Sequence, residues 1–447
     1  MTASKQQPPK RLRLELSSAA AALCLLLACM VRTGVEAAGD IRHEYFETQH
    51  ASWFERLGDS FTGVAIGFLF LIVASVLLVW SEGRAVRTHQ SLVEGKGQVR
   101  CVDRKEVDPK NEGKLIHLQG TIKNKDGDRV LKDKEFGIAL EGALKLRRKV
   151  EVYHWTERSE KVQSSTHVGG SQSTTTKYSY HAEWSSSVPD SHAFHDRGEH
   201  ANPPKRFEDA TITCGEAAVG AFKVSPSLLS SLSNWEKVEL LGGEGAAQGD
   251  HFKYAMQGLF ASKGITPHIL SDQMYIGYNP NYPQIGDHRI TFEVCKKCPV
   301  SIVAQQCGKR LAPFHTKAGG NIELLENGHL SADRMFEKAI SSNATLTWIL
   351  RFVGALIMFF GFSLLLGPTG VLADVIPLFG SLVRLGTFFV AFFGSLVVSL
   401  SVIALAWLWY RPLFAAGLLL ISFVLSAVLF FNASPVGSAT ASSFSSL

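Results

Sequence analysis

Histidine and acidic side chains gather in one short stretch of the sequence, where such residue types could hold a metal. His192, His195 and His200 flank Asp196 and Glu199, and zinc is bound in proteins by side chains of these kinds. However, no two of these histidines are spaced four apart on an evident helix, and the surrounding residues are typical of a loop. We therefore predict a polar, pH-responsive surface loop and no metal site.

A pair of cysteines offers a second kind of chemistry. Cys295 and Cys298 are separated by two residues, and Cys307 follows them. This spacing occurs in zinc sites and redox motifs, but a single pair is a weak signal. A local disulfide or plain thiols is the simpler interpretation, and an odd number of cysteines in the polar part of the chain leaves the redox compartment open. The full set is Cys24, Cys29, Cys101, Cys214, Cys295, Cys298 and Cys307.

Motifs of established catalytic machinery are missing from the sequence. It contains no nucleophile elbow, no Walker motif and no paired catalytic carboxylates. The net charge of +5 is mild and is not gathered into one basic stripe. We therefore predict a protein that is not an enzyme, needs no cofactor and does not bind nucleic acid.

Four apolar stretches are long enough to cross a bilayer, which takes roughly 20 residues in a helix. They cover residues 61–80, 348–366, 385–410 and 412–431. Residues 1–38 have a basic start and a short apolar run, so we predict a signal peptide or an N-terminal anchor. The chain is thus predicted to meet membrane lipid at both ends of a polar middle.

Few ionisable residues lie in or beside these stretches. Arg351, Arg384 and Arg411 fall near the expected interfaces, and Asp374 falls in a loop broken by Pro and Gly. Charges at the ends of spans are ordinary anchors, whereas buried intramembrane charge would indicate a transport path. A transporter or channel subunit built from the C-terminal spans is therefore the alternative function.

The chain between the first two spans, residues 81–345, has short apolar runs separated by turn-forming residues. This pattern predicts a multi-pass α-helical membrane protein with a large, mostly β (α+β) extramembrane domain, here called the polar domain. Residues 289–294 are predicted to form a strand that pairs with residues 301–305. Ser331 is predicted to cap a helix that leads into the second span.

Alternating side chains predict two antiparallel strands at residues 149–155 and 178–184, joined by a solvated loop over residues 157–177. Aromatic side chains of these strands are candidate partner contacts, because such residues are enriched in the cores of interfaces. Aromatic pairs that face each other across two strands also stabilise a sheet without a partner, so ordinary packing is the alternative. The candidates are Tyr153, Trp155, Tyr178, Tyr180 and Trp184.

Several sequence segments together carry a resemblance to a known family. They include NEGKLIH at residues 111–117, KLRRKVEVYHW at residues 145–155 and NPNYPQIGDHR at residues 279–289. Shorter segments add to these: EGRA at 82–85, FGI at 136–138, YSY at 178–180 with Trp184, PFHTK at 313–317 and YRPL at 410–413. On these segments the chain resembles the transmembrane protein 43 family, also called LUMA, over about residues 50–431.

The resemblance implies four spans with the large domain between the first and the second. It also implies a location in the endoplasmic reticulum membrane and the inner nuclear membrane, lamin-like and emerin-like partners, self-association and no enzymatic activity. The family arrangement would put the polar domain in the lumen. Basic residues that follow the first span would instead favour the cytosol: Arg84, Arg87, Lys96 and Arg100.

These observations lead to three hypotheses. The first and favoured one is a membrane scaffold of the endoplasmic reticulum and nuclear envelope that organises membrane protein complexes through its polar domain and forms homo-oligomers. The second is the transporter or channel subunit. An enzyme at His192 and His195, or at Cys295 and Cys298, is a third and would require bound metal or a reactive thiol.

Overall fold

The computed structural model describes residues 43–125, 130–240 and 267–412. The predicted leader, residues 1–38, and most of the fourth predicted span, 412–431, lie outside the described residues. The helices within these ranges are α1 (Trp53–Gln98), α2 (Pro226–Ser231), α3 (Ala332–Leu365), α4 (Gly367–Ala373) and α5 (Pro377–Tyr410).

Strands form two large sheets and two short ribbons. The eight-stranded sheet contains β1 (His43–Ala51), β6 (Lys145–Thr166), β7 (Gln172–Ser185), β8 (Ala210–Thr213), β11 (Glu236–Lys237), β12 (Pro267–Ile269), β13 (Gln273–Ile276) and β14 (His288–Cys295). The seven-stranded sheet contains β2 (Arg100–Cys101), β3 (Leu115–Asn124), β9 (Ala217–Val219), β10 (Phe222–Lys223), β15 (Cys298–Cys307), β16 (Arg310–Ala312) and β19 (Leu324–Asn327). The ribbons pair β4 (Leu131–Lys132) with β5 (Ala139–Leu140) and β17 (Phe314–His315) with β18 (Asn321–Ile322).

One apolar core lies between the two large sheets. Leu146 and Val150 of β6 and Phe292 of β14 enter it from the first sheet, and Leu118 of β3 and Ile302 of β15 enter it from the second. Burying such side chains removes apolar surface from water, which is the main driving force for this packing. The predicted fold class, a multi-pass membrane protein with a sheet-rich extramembrane domain, is confirmed.

Three long helical segments are apolar enough to cross a membrane by length and composition: α1, α3 together with α4, and α5. The predicted spans at 61–80, 348–366 and 385–410 fall on these helices, and each helix extends beyond its predicted span. As predicted, Ser331 caps α3, since its side chain accepts a hydrogen bond from the N–H of Arg334. Together α1, α3, α4 and α5 form the helix bundle.

The long helices pack closely where they carry small residues. A Cβ added to Gly67 of α1 would lie 2.8 Å from the carbonyl oxygen of Gly361 on α3, so glycine is required for this approach. At the other end, Leu92 of α1 and Phe336 of α3 join Leu115 of β3 in a second buried cluster. This cluster attaches the bundle to the outer face of the seven-stranded sheet.

The predicted solvated loop over residues 157–177 is wrong. Strand β6 continues to Thr166 and β7 begins at Gln172, and the turn between them is closed by a hydrogen bond from the N–H of His167 to the carbonyl of Ser171. Polar residues dominate both faces here, so apolar alternation gave no signal. Backbone pairing does not depend on apolar side chains, and threonine is well suited to strands.

The predicted pairing of residues 289–294 with residues 301–305 is also wrong. Strand β14 pairs with β6, β13 and β11, whereas β15 pairs with β3, β16 and β19 in the other sheet. Only Lys296 and Lys297 separate the two strands, a length that usually closes a hairpin. Here the same two residues carry the chain from one sheet to the other, because both strands bury apolar residues in the shared core.

Strands β1, β7 and β6 extend the first sheet away from the core of the polar domain. The side chain of Thr48 on β1 meets that of Thr175 on β7, with 3.0 Å between their hydroxyl oxygens. At the hairpin turn, the N–H of Gly169 donates to the carbonyl of Val375, 3.1 Å away, between α4 and α5. The extension therefore reaches the end of the bundle that lies away from the polar domain.

This extension has a consequence for membrane insertion. Strand β1 precedes the apolar run 61–80 and pairs with β7, which follows that run, so a complete bilayer crossing would put the two strands on opposite sides. Hydrocarbon does not tolerate charged side chains or open strand edges, which rules out a path through the lipid. Pairing of β1 with β7 and a complete crossing exclude each other. The charged side chains of β6 and β7 here are Glu157, Arg158, Glu160, Lys161 and Lys177.

We predict that embedding the bundle in a bilayer releases β1 from β7. The double variant Thr48→Cys/Thr175→Cys should form an internal disulfide on oxidation in detergent and not in phospholipid vesicles, as read by peptide mass spectrometry. Ser164→Cys/Thr174→Cys is the matched control, because these residues are opposite each other on β6 and β7 and should crosslink in both settings. A disulfide between residues 48 and 175 in vesicles would show that residues 61–80 do not cross.

Candidate interaction surface

The five aromatic candidates all lie on the hairpin formed by β6 and β7, as the sequence predicted. Tyr153 is directly opposite Trp184 in the antiparallel pairing, whereas Trp155, Tyr178 and Tyr180 are opposite non-aromatic residues. Burial alternates along the start of β6, with Val150, Val152 and His154 inside. Of the five candidates, Tyr180 is buried and the other four are half-buried.

Tyr180 belongs to the interior of the protein. Its side chain is fully buried, and its ring stacks on His200 with 3.8 Å between ring centroids. The hydroxyl donates to Glu157 and accepts from the N–H of Asp196, 2.9 Å away. Burial, together with the hydrogen bond to Glu157, raises the pKa of Tyr180. These contacts hold the loop over residues 194–200 against the hairpin and leave no surface of Tyr180 for a partner.

Two other candidates support the same loop. The ring of Trp155 meets His200 edge-on with 4.8 Å between centroids. Tyr178 places its ring 4.3 Å from that of His195, and its hydroxyl donates to Glu47 of β1, 3.3 Å away. Both side chains are half-buried, so their main contacts are internal. Packing, the alternative raised by the sequence, describes these two residues best.

The remaining pair continues into a row of aromatic rings. Tyr153 and Trp184 lie 5.2 Å apart between centroids, and Trp184 meets Tyr275 of β13 at 6.1 Å. The guanidinium of Arg289 lies 4.8 Å from the centre of the Trp184 ring, a cation–π contact. Both members of the pair are half-buried, so this row has an exposed side.

Next to this row, a loop between β13 and β14 presents two tyrosines that the sequence interpretation did not select. Tyr278 is 84% exposed and Tyr282 is 75% exposed. The sequence signal was the NPNYP motif at residues 279–283, which contains Tyr282 and follows Tyr278, and whose prolines predict a rigid turn. Tyrosine is enriched in the cores of protein interfaces, so two exposed tyrosines beside an aromatic row make this loop a candidate interaction site.

Hydrogen bonds fix the shape of this loop. The N–H of Tyr282 donates to the carbonyl of Asn279, 3.1 Å away, and the N–H of Gln284 donates to the carboxylate of Asp287, 2.7 Å away. The hydroxyl of Tyr275 donates to the same carboxylate, and burial together with that bond raises the pKa of Tyr275. Two exposed rings therefore stand on a preorganised base.

The predicted metal and redox candidates do not form a site among the described residues. No group of three or more His, Cys, Asp or Glu side chains there has a metal-binding arrangement. His200 is instead buried, with its Nδ1 3.1 Å from the carboxylate of Asp196. His195 lies on the exposed side of the same loop, and His192, just before the loop, is also exposed.

The cysteines of the described residues are free thiols. Burial raises the pKa of Cys295 to about 11 and also raises the pKa of Cys298. The thiolate is the reactive form, so burial disfavours the redox chemistry that their spacing allowed. Of the two interpretations of this pair, a local disulfide or plain thiols, the structure has plain thiols.

Two clusters of charged residues in the bundle are ion-paired. Arg351 of α3 forms a two-pronged ion pair with Glu82 of α1, with distances of 2.6 and 3.0 Å. Asp374, which follows α4, accepts hydrogen bonds from Arg56 of α1 and Arg384 of α5. The predicted interfacial anchors Arg351 and Arg384 thus hold helices together.

The fold and the surface define a membrane protein with a sheet-rich extramembrane domain between apolar helices. The family profile described as Transmembrane protein 43 matches residues 152–412. Transmembrane protein 43 of Pongo abelii is 32% identical over 408 residues, covering 86% of this chain and 95% of that protein. The Homo sapiens protein is 32% identical over 402 residues, covering 85% and 94%.

A more distant relative extends the comparison beyond vertebrates. The transmembrane protein 43 homolog of Drosophila melanogaster is 26% identical over 384 residues, covering 83% of this chain and 94% of that protein. No solved structure matches the chain. The chain belongs to the transmembrane protein 43 family.

Proposed function

We propose that this protein is a non-enzymatic membrane scaffold of the endoplasmic reticulum and nuclear envelope. It organises membrane protein complexes through its polar domain and through self-association. The observation that carries the proposal is the preorganised loop with Tyr278 and Tyr282 exposed beside the Tyr153–Trp184 row. Because the loop is already fixed by hydrogen bonds, a partner would not have to order it, which reduces the entropic cost of binding.

The attachment of the polar domain supports the same role. Helices α1 and α3 leave the domain side by side and are joined to its outer sheet by a buried cluster that includes Leu92 and Phe336. A domain held in this way keeps a defined orientation relative to the bundle. A scaffold needs such an orientation, because it presents its contact surface to neighbouring membrane proteins.

The location and the partners rest on family resemblance. Endoplasmic reticulum and inner nuclear membrane residence, and lamin-like or emerin-like partners, are the family expectations that we carry into the proposal. A lumenal position of the polar domain would favour partners with lumenal segments. A cytosolic or nucleoplasmic position would favour lamina proteins.

We predict that Tyr278→Ala/Tyr282→Ala lowers recovery of co-purified partners at least about tenfold, since tyrosine truncation at an interface centre commonly costs more than 1.4 kcal/mol. The melting temperature should not change, because both side chains are exposed. Quantitative mass spectrometry of purified complexes measures recovery, and a thermal melt of the same sample measures stability.

A matched control separates contact from general surface effects. Val168→Ala changes a residue that is 89% exposed at the hairpin turn and should leave partner recovery unchanged. Trp184→Ala tests the packing alternative, because loss of its contacts with Tyr153 and Arg289 should lower the melting temperature. An unchanged set of partners in the double tyrosine variant would overturn the proposed contact surface.

A further inference from the structure

A cavity of about 300 Å³ opens between α3, α4 and α5 at the end of the bundle away from the polar domain. Its wall combines apolar surface with a few polar groups, which is typical of ligand sites. The residues that matter here are Ser363, Gly367, Gly370, Arg384, Thr387 and Phe388.

The charges around this cavity do not cancel. Asp374 is almost fully buried, and its single carboxylate is shared by Arg56 and Arg384. Two guanidinium groups and one carboxylate leave one net positive charge. Arg56 is also nearly buried, whereas the side chain of Arg384 is 47% exposed and lines the cavity. The uncompensated charge is therefore available at the cavity wall.

The guanidinium of Arg384 has more N–H donors than its bond to Asp374 uses. One Nη donates to Asp374, and within the described residues its remaining N–H groups have no hydrogen-bond acceptor. The guanidinium presents its donors in a planar fork that fits two oxygens of a phosphate. The hydrogen bond to Asp374 fixes the orientation of the Arg384 guanidinium. The arrangement is that of an anion receptor with its carboxylate partner buried on the side away from the cavity.

The surroundings indicate that the anion carries apolar chains. Phe388 of α5 lines the cavity and is 51% exposed, and α5 also exposes Leu382 and Leu385 on either side of Arg384 in the sequence. The indole N–H of Trp53 donates to the carbonyl of Val371, 3.0 Å away, and tryptophan is favoured at the level of lipid headgroups. A basic pocket between membrane helices at this depth suits a lipid headgroup better than a free ion.

We propose that this cavity binds the headgroup of an anionic phospholipid with a single negative charge. The phosphodiester accepts hydrogen bonds from Arg384, and the acyl chains lie against the apolar surface of α5. One net charge on the protein matches one net charge on the lipid. A zwitterionic lipid such as phosphatidylcholine carries a cation that this site does not neutralise.

The test uses the full-length protein with phosphatidylglycerol and phosphatidylcholine as probes in neutral detergent, with bound lipid counted by native mass spectrometry. Wild-type protein should retain phosphatidylglycerol in preference to phosphatidylcholine. Arg384→Gln should weaken phosphatidylglycerol binding about tenfold, as expected for the loss of one charge-assisted bond. Asp374 keeps Arg56 in this variant, so the bundle should remain folded.

Two further variants sharpen the result. Gly367→Leu fills the cavity without removing charge, because a Cβ at Gly367 meets no atom within 4 Å, and it should also lose the lipid. Arg87→Gln removes an exposed arginine towards the opposite end of α1 and should bind as wild type. Equal retention of both lipids by wild type would overturn the proposal. Wild-type lipid binding by both Arg384→Gln and Gly367→Leu would also overturn it. So would displacement of the lipid by inorganic phosphate together with unchanged lipid binding by Gly367→Leu, because the site would then hold a free anion.

Discussion

Replacing Glu82 with alanine is expected to lower the free energy of unfolding by about 3–5 kcal/mol, the usual cost of leaving a buried charge without its partner. Glu82 is fully buried and lies where three helices meet. Its carboxylate accepts two hydrogen bonds from Arg351 of α3 and a third, at 2.9 Å, from the indole N–H of Trp407 on α5. Removing this side chain takes the hydrogen-bond acceptor away from both the guanidinium of Arg351 and the indole N–H of Trp407.

The measurement is equilibrium unfolding of the purified protein in detergent micelles. Arg351→Ala should be similarly harmful, because it leaves the buried carboxylate unpaired. The double variant Glu82→Leu/Arg351→Leu should recover much of the lost stability, since an apolar pair can replace a buried ion pair. Two results would contradict a buried ion pair at this position. One is a double variant that loses as much stability as the two single variants together, and the other is a loss below about 1 kcal/mol for Glu82→Ala.

Arg148→Met is expected to destabilise the polar domain by a similar amount, about 3–5 kcal/mol. Arg148 and Asp133 are both nearly fully buried and joined by two hydrogen bonds of 3.0 and 2.9 Å. The guanidinium also lies 4.6 Å from the centre of the Phe136 ring and donates to the carbonyl of Glu208. Methionine keeps most of the volume but leaves the buried carboxylate without a cation.

The neighbouring arginine supplies the control. Arg147 points to the other face of β6 and pairs with Glu293, where its side chain is 31% exposed. Ion pairs open to solvent contribute about 0–1 kcal/mol, so Arg147→Met should have a small effect. Chemical denaturation followed by tryptophan fluorescence compares the two variants. Equal losses for both would contradict the assignment of Arg148 and Asp133 to the buried core.

Sequence patterns predicted the architecture because hydrophobicity determines it. Long apolar runs indicated the helices, and alternation indicated the start of β6 at Val150, Val152 and His154. The same patterns fail where polar residues line both faces, so they predict a loop where the outer half of the hairpin lies. They also predict that the first apolar span ends at residue 80, whereas α1 continues to Gln98 as a helix that buries polar residues such as Ser81 and Glu82 as well as apolar ones.

The candidate surface was predicted only in part. Alternation identified the hairpin aromatics, but it could not reveal that Tyr180 faces His200 in the interior, since the loop that covers it comes from elsewhere in the sequence. Tyr278 and Tyr282 lie in a turn with two prolines, where no periodicity indicates which side chains are exposed. The hydrogen bonds to Asn279 and Asp287 are local to the turn, whereas the bond from the hydroxyl of Tyr275 joins Asp287 to β13 and so fixes the turn on the sheet.

Interhelical ion pairs were likewise beyond the sequence pattern. Arg351 and Arg384 are predicted near the interfaces, but Glu82 lies 269 residues from Arg351 along the chain, and Asp374 lies 10 residues before Arg384, across the break between α4 and α5. Glu82 follows the first apolar run by two residues and gave no signal of burial. Only the antiparallel packing of α1 and α3 brings it to Arg351.

Site-specific photocrosslinking from position 282 tests the central claim, a membrane-anchored domain with an aromatic contact surface, most directly. A photoreactive phenylalanine analogue replaces Tyr282 in cells, and the same analogue at Val168 is the control, because both positions are highly exposed. We predict discrete crosslinked partners from position 282 that are absent from position 168 and are lost when Tyr278→Ala is added. Adducts from position 282 that are no different from those at position 168 would contradict the account.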